Sequence, residues 1–179
     1  LEKENVTSFH STGRSFAFYL ESYGNEIIRK LTSSSKDFFL KNSSSDNEIP
    51  ILKSRGMIHI ATEKQHGDLV KTYKDLTKIN KNLSLLNTDE TMKLLPCLKE
   101  KYIYSSIHDY EASDIDVNAL YNVYLKEFKK NKGVIKTKTK INKFLQKKDN
   151  WKISTQEGGL FCRLLVNAAG AWCDEIAQA

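Results

Sequence analysis

Val166-Asn167-Ala168-Ala169-Gly170-Ala171-Trp172 closes an apolar run over residues 160–166 and leads into Trp172, Ile176 and Ala177. The reading is a strand that breaks at small residues and turns into a short helix. Small residues at such a turn let backbone approach something bulky and flat, and the first N–H groups of the helix can meet an anion. A nucleotide fits that description. Close packing of the helix on its own strand fits it too, and the turn taken alone favours packing.

The other end of the chain points to the same ligand. Leu1-Glu2-Lys3 reads as the end of a strand, where dinucleotide-binding folds place an acidic residue on the adenosine ribose hydroxyls. A surface glutamate is the alternative. His10-Ser11-Thr12-Gly13-Arg14-Ser15 then opens residues 13–20, whose Phe16, Ala17, Phe18, Tyr19 and Leu20 predict a buried helical turn. Two hydroxyls, a glycine and an arginine at a helix start suit a pyrophosphate, through dipole, hydroxyl donors and charge together. An N-cap box with a solvent-facing arginine fits equally.

A chain of 179 residues has room for one sizeable core, or for one domain with a smaller insertion. With 40% hydrophobic and 28% charged residues it is an ordinary folded chain, not a disordered one. No apolar run approaches the roughly 18–20 residues needed to cross a bilayer. Leu1-Glu2-Lys3-Glu4 lacks the basic start and apolar centre of a signal peptide. Cys97, Cys162 and Cys173 are odd in number and have no metal-like spacing, so no disulfide framework is predicted. A cytoplasmic setting is the expectation, with peripheral membrane attachment left open. His59, His66 and His108 have no metal-site partner at sensible spacing, and no metal is expected.

The net charge of +6 is concentrated. Residues 126–148 hold ten lysines and one glutamate, a local +9 that leaves −3 for the rest. A nucleic-acid patch would carry arginine and interleaved aromatics. This run has no arginine, and Phe128 and Phe144 sit at core spacing, so a solvated face is the reading.

Residues 26–39 place Ile27, Ile28, Leu31, Ser35, Phe38 and Phe39 on one helical stripe, after a break at Gly24. Residues 41–48 read as a loop, 56–61 as a strand and 67–81 as a helix. Thr88-Asp89-Glu90 starts another helix, ended by Pro96, and residues 102–107 are a strand candidate. Asp116 caps a helix with Leu120, Val123, Tyr124 and Phe128 inside, ended by Gly133. Residues 134–144 read as one extended segment, and 151–155 with 160–166 as a hairpin. The layout is α/β, without internal repeats.

Glu2, His10 through Ser15, Tyr23-Gly24, Ile115-Asp116 and Val166 through Trp172, in that order and separation, resemble the D-amino-acid oxidase/dehydrogenase family of FAD-dependent flavoenzymes. That superfamily also holds glycine, sarcosine and hydroxyglutarate oxidoreductases. The nearest branch resembles bacterial D-amino-acid dehydrogenases similar to D-arginine dehydrogenase. The resemblance implies a Rossmann-like FAD-binding domain with an inserted small α+β substrate-domain segment. It assigns residues 1–49 and 110–179 to the FAD-binding part and 50–109 to the insertion.

By position, it implies that Glu2 holds the FAD ribose with Lys3 beside it. Ser11, Thr12, Gly13, Arg14, Ser15, Phe16, Ala17 and Phe18 would wrap the pyrophosphate, ribityl chain and flavin edge. Ile141 would give backbone hydrogen bonds to the adenine, and Ala169 and Gly170 would allow close approach of the ADP half. Tyr23 would line the substrate side. No catalytic base is assigned, and His10 is not expected to carry a covalent flavin. Relatives that take cationic D-amino acids carry a histidine at Phe18 and a glutamate near Gly56, so a neutral side chain is expected here.

The implied reaction is oxidation of the CH–NH2 group of a D-amino acid, the electron acceptor undefined. A sarcosine, glycine or 2-hydroxy-acid enzyme of the same superfamily is the alternative, and a non-catalytic piece without flavin another. No G-x-G-x-x-G is present. The chain therefore reads as an internal fragment that binds FAD weakly or not at all by itself.

Overall fold

The computed structural model describes residues 1–43 and 49–178. In chain order the elements are β1 (Ala17–Tyr19), α1 (Glu26–Ser43), β2 (Leu52–Ser54), β3 (Met57–Ala61), α2 (His66–Leu76), β4 (Leu83–Asn87), α3 (Thr88–Leu94), β5 (Ser105–Asp109), β6 (Ser113–Ile115), α4 (Val117–Lys130), β7 (Ile141–Lys147), β8 (Asn150–Thr155), β9 (Gly158–Cys162) and α5 (Cys173–Gln178). The mixed α/β chain forms two compact units, one of Leu1–Ser15 with Tyr124–Ala179, the other of Phe16–Val123.

The Phe16–Val123 unit holds two three-stranded sheets, ordered β1-β6-β2 and β3-β5-β4, with every ladder antiparallel. Its core is Ala61, Leu69, Leu76, Leu83 and Ile107, where one face of α2 closes over β5 and β4. Polar anchors fix the next helix. Asn87 accepts from the Glu90 backbone N–H while Glu90 accepts from that of Asn87, a capping box that satisfies two donors at the start of α3. Thr91, wholly buried on α3, lies 2.6 Å from Ser106 on β5. Asp116 starts α4 by accepting from the Ala119 N–H at 2.7 Å.

The other unit contains the meander β7-β8-β9, with Ile153 of β8 buried. The first residues of the chain are strapped to the segment ahead of β7. Glu2 N–H donates to the Lys136 carbonyl, and the Thr139 and Lys138 N–H groups donate to Glu2 and Glu4 carbonyls. Lys132 takes φ +62, so it and not Gly133 adopts the left-handed conformation after α4. Gly133 is small for another reason: a Cβ there would stand 2.3 Å from the Phe128 ring.

Several local expectations are corrected. Residues 13–20 are not a buried helical turn: Thr12–Arg14 is a single 3-10 turn and β1 follows. Strand alternation replaces helical burial, with Tyr19 2% exposed and Phe16 73%. An apolar run this short fits either period, and pairing with β6 decides it. Helix α1 continues past Phe39 to Ser43, into the stretch read as a loop; the rest of that stretch, 44–48, lies outside the described residues. Ser34, Ser35, Asn42 and Ser43 each bond back to the carbonyl four residues earlier, which absorbs their polarity into the helix. The stripe on α1 stays largely open, Ile27 being 69% exposed.

Helix α2 stops at Leu76, and β5 begins at Ser105 because Glu100–Tyr102 forms a 3-10 turn. Of the extended segment 134–144, only Ile141 onward is strand. The strand read over 160–166 ends at Cys162, where its ladder with β8 ends, and Leu164 and Val166 are exposed. The helix after the small-residue turn begins as a 3-10 turn, Gly170–Trp172, before α5.

Candidate functional site

Two of the stretches singled out in the sequence meet inside the unit of Leu1–Ser15 and Tyr124–Ala179. The His10 ring lies 4.7 Å from that of Trp172, and its Nε2 is 2.9 Å from Glu4 Oε1. The Ser11–Ser15 turn therefore stands beside the Ala169–Gly170 turn, with the Glu2–Glu4 strap holding the same imidazole.

Each piece has a local cause. Gly13 N–H donates to the Ser8 carbonyl at 2.8 Å, and Ser8 itself sits at φ 60. A Cβ on Gly13 would stand 2.1 Å from that carbonyl oxygen, so only glycine closes this turn. Ser11 makes no side-chain cap bond to the turn. Arg14 lies with Cζ 5.0 Å from the Phe9 ring centre. At the far end Asn167 braces the second turn, its Nδ2 donating to the Cys173 carbonyl and its Oδ1 accepting from Ala169 N–H.

Gly170 adopts φ +57, and nothing lies within 4 Å of where its Cβ would be. Gly170 is therefore not small to admit another part of the protein; its left-handed backbone is the local reason for a glycine there. Glu2 O accepts from Thr139 N–H, two residues before Ile141 begins β7, so Glu2 and Ile141 are close along one strap. A bulge between Ile141 and Lys143 loosens the β7–β8 ladder there. The strap of Glu2 and Thr139, the turn closed at Gly13 and the open turn at Gly170 thus belong to the same unit.

The Phe16–Val123 unit carries a cleft of about 820 Å³. Phe18 and Tyr23 line it, with Leu20, Met57 and Ile58 as further apolar wall. Gly24, at φ +83, turns the chain after Tyr23, which is well exposed. Phe16 and Phe18 meet edge to face at 4.9 Å. Ala17 sits between them opposite Ile115.

Two further lining residues, Arg55 and His108, were not singled out as site residues in the sequence. His108 borders the cleft, with its ring centre 3.9 Å from that of Tyr110. The one local signal was the position of Arg55 beside Gly56. His59 lies off this wall, its Nε2 3.2 Å from Ser22 Oγ, and burial lowers its pKa. His66 is bonded to Ser105. Among the described residues no group of three or more His, Cys, Asp or Glu is placed to hold a metal, and no helix is long and apolar enough to cross a membrane.

Comparison with known proteins gives the class. The model of the DAO family, FAD dependent oxidoreductases, matches residues 1–179, and the chain belongs to that family. Among solved structures it is similar to glycine oxidase from Geobacillus kaustophilus, with TM-score 0.77 and 17% identity over 99% of this chain and 50% of that one. L-proline dehydrogenase from P. horikoshii superposes with TM-score 0.76 and 19% identity over 99% and 47% of the two chains. L-alpha-glycerophosphate oxidase from Mycoplasma pneumoniae, a structure with FAD bound, gives TM-score 0.78 and 16% identity over 99% and 48%. At these identities the likeness is one of fold. The chain spans about half the length of each structure it matches.

Proposed function

We propose that the protein is an FAD-dependent oxidoreductase that oxidises the CH–NH2 group of a D-amino acid whose side chain carries no positive charge. Bound FAD would accept hydride at its N5. In the balanced step the Cα–H bond breaks with its electron pair, the amine proton leaves to solvent, and an imine forms; water then releases a 2-oxo acid and ammonia. The hard chemistry belongs to the cofactor, and the chain's residues bind and orient.

In this reading Glu2 takes the ribose hydroxyls, with Lys3 beside it. Ser11, Thr12, Gly13, Arg14 and Ser15 take the pyrophosphate. Ile141 meets the adenine through its backbone, and Ala169 and Gly170 admit the ADP half. Phe16, Ala17 and Phe18 belong to the flavin end and Tyr23 to the substrate. Residues 50–109 act as the substrate segment, and 1–49 with 110–179 as the FAD-binding part.

The observation that carries the reading is the cleft, in which Phe18 and Tyr23 share a wall with Arg55. Apolar surface with few polar groups suits a small organic substrate, and Arg55 opposes a cationic side chain. The test uses protein expressed from the complete gene. Purified protein should carry flavin, and anaerobic addition of D-amino acids should bleach it. Bleaching by hydroxy acids or N-methylglycine alone would move the assignment to a sister activity. Colourless protein that takes up no FAD would end it.

A further inference from the structure

The cleft in the Phe16–Val123 unit is apolar for most of its lining and holds one formal charge, which is positive: Arg55. That guanidinium is held in place. Its Cζ lies 4.8 Å from the Phe18 ring centre and 5.7 Å from that of Phe16, and Nη1 donates to Asp114 Oδ1 at 3.0 Å. Two rings and one ion pair fix the plane of the fork, leaving Nη2 and Nε for a carboxylate. Asp114, which pairs with one edge of the guanidinium, is not itself part of the cleft wall, so Arg55 is the one charged residue that lines the cleft.

His108 stands at the next station along this wall. A Cβ on Gly56, the residue after Arg55, would lie 3.1 Å from His108 Nε2, and Gly56 adopts φ +77. Both Arg55 and Gly56 N–H groups donate to the Ala112 carbonyl, which fixes the backbone there. His108 Nδ1 is buried and has no hydrogen-bond partner. The imidazole therefore occupies the space a side chain at position 56 would need, and no carboxylate lines the cleft to receive a cation. A neutral side chain would cover the open edge of the half-exposed guanidinium without supplying an acceptor. An anionic one would complete it.

We propose that Arg55 sets specificity in this cleft, and that the substrate is a dicarboxylic amino acid whose side-chain carboxylate binds the Arg55 guanidinium. The proposal rests on the amino-acid reading above and, among side chains without positive charge, selects an anionic one in place of the neutral one expected from sequence.

The test compares D-aspartate with D-asparagine and D-glutamate with D-glutamine, pairs alike in size and different in charge, on the flavin-loaded protein from the complete gene. Anaerobic flavin reduction needs no external oxidant. The acids should reduce flavin with second-order constants roughly 10- to 100-fold above the amides. Arg55→Gln should bring the ratio of acid to amide close to one, and Arg55→Lys should recover part of the preference. Glutarate, which is not oxidised, gives a readout independent of turnover: calorimetry should show binding to the parent protein and its loss in Arg55→Gln. Should that variant fail to fold, Asp114→Asn keeps the question open to measurement, because removing the competing carboxylate should tighten glutarate binding. Equal reduction by acids and amides, or glutarate binding indifferent to both substitutions, overturns the role of Arg55 and leaves the amino-acid reading standing. No reduction by any amino acid overturns both.

Discussion

The imidazole of His10 lies 4.7 Å from the indole of Trp172, joining the first turn of the chain to its last. Glu4 grips the same ring from the strap that Glu2 and Thr139 hold together. A ring pair of this kind contributes about 0.5–1.5 kcal/mol beyond its burial. A double-mutant cycle with His10→Ala and Trp172→Ala, followed by denaturant unfolding, should return a coupling energy of about that size. Strict additivity would mean that the two turns are held independently.

Gly133 and Phe128 give a second test. With a Cβ at 2.3 Å from the ring, Gly133→Ala forces the Phe128 side chain out of place. Because Phe128 is exposed and its ring can swing toward solvent, the expected cost is about 1 kcal/mol, the low end for overpacking. Repeating Gly133→Ala in a Phe128→Leu background should remove most of it. If the cost persists, backbone conformation and not the ring is responsible. Lys132, which carries the positive φ, makes that outcome unexpected.

What was legible in the sequence follows the range of the forces involved. The start of α3 was readable because Asn87 and Glu90 satisfy each other three residues apart. The same holds for Asp116, which accepts from Ala119. Residues 16–20 were misread because five apolar residues fit either period, and their partner, β6, lies far along the chain. That Arg55 and His108 line one cleft was not legible for the same reason. They share a wall only because β3 pairs with β5 and the Ala112 carbonyl holds the backbone at Gly56. The small-residue turn was conspicuous, yet the left-handed backbone of Gly170 and the open space beside it belong to the folded chain, and no sequence pattern displays them.

Buried charge predicts a pH dependence of stability. Lys36 Nζ lies 2.5 Å from Glu111 and 3.3 Å from Glu21, which also accepts from the Tyr19 hydroxyl. The hydrogen bond from Lys36 is the main cause that holds Glu111 below its ordinary value of 4.5, and the same bond chiefly raises Lys36 above 10.5. Stability from a depressed carboxylate is present above the unfolded value and lost as pH falls through the folded one. That from a raised lysine is present below 10.5 and lost as pH rises through its folded value. Lys36→Met should therefore lower the melting temperature most near neutral pH. Its gap to the parent should close below pH 4.5, as Glu111 becomes protonated. A gap that does not change with pH would assign the loss to packing of the lysine stem.

Gly170 separates backbone strain from ligand contact. An added methyl would meet no protein atom within 4 Å, so Gly170→Ala costs the folded chain only the left-handed conformation at φ +57. That is about 1–2 kcal/mol, visible as a modest fall in melting temperature. If the ADP half of FAD lies against this turn, the same methyl occupies the ligand's space. Flavin affinity measured by fluorescence quenching should then fall far more than stability does. Asn is the informative companion, because it tolerates left-handed backbone better than alanine yet carries a larger side chain. Gly170→Asn should keep more stability than Gly170→Ala and bind FAD less tightly. Affinity that instead tracks stability across the two variants would place the flavin elsewhere and return the turn to a purely conformational role.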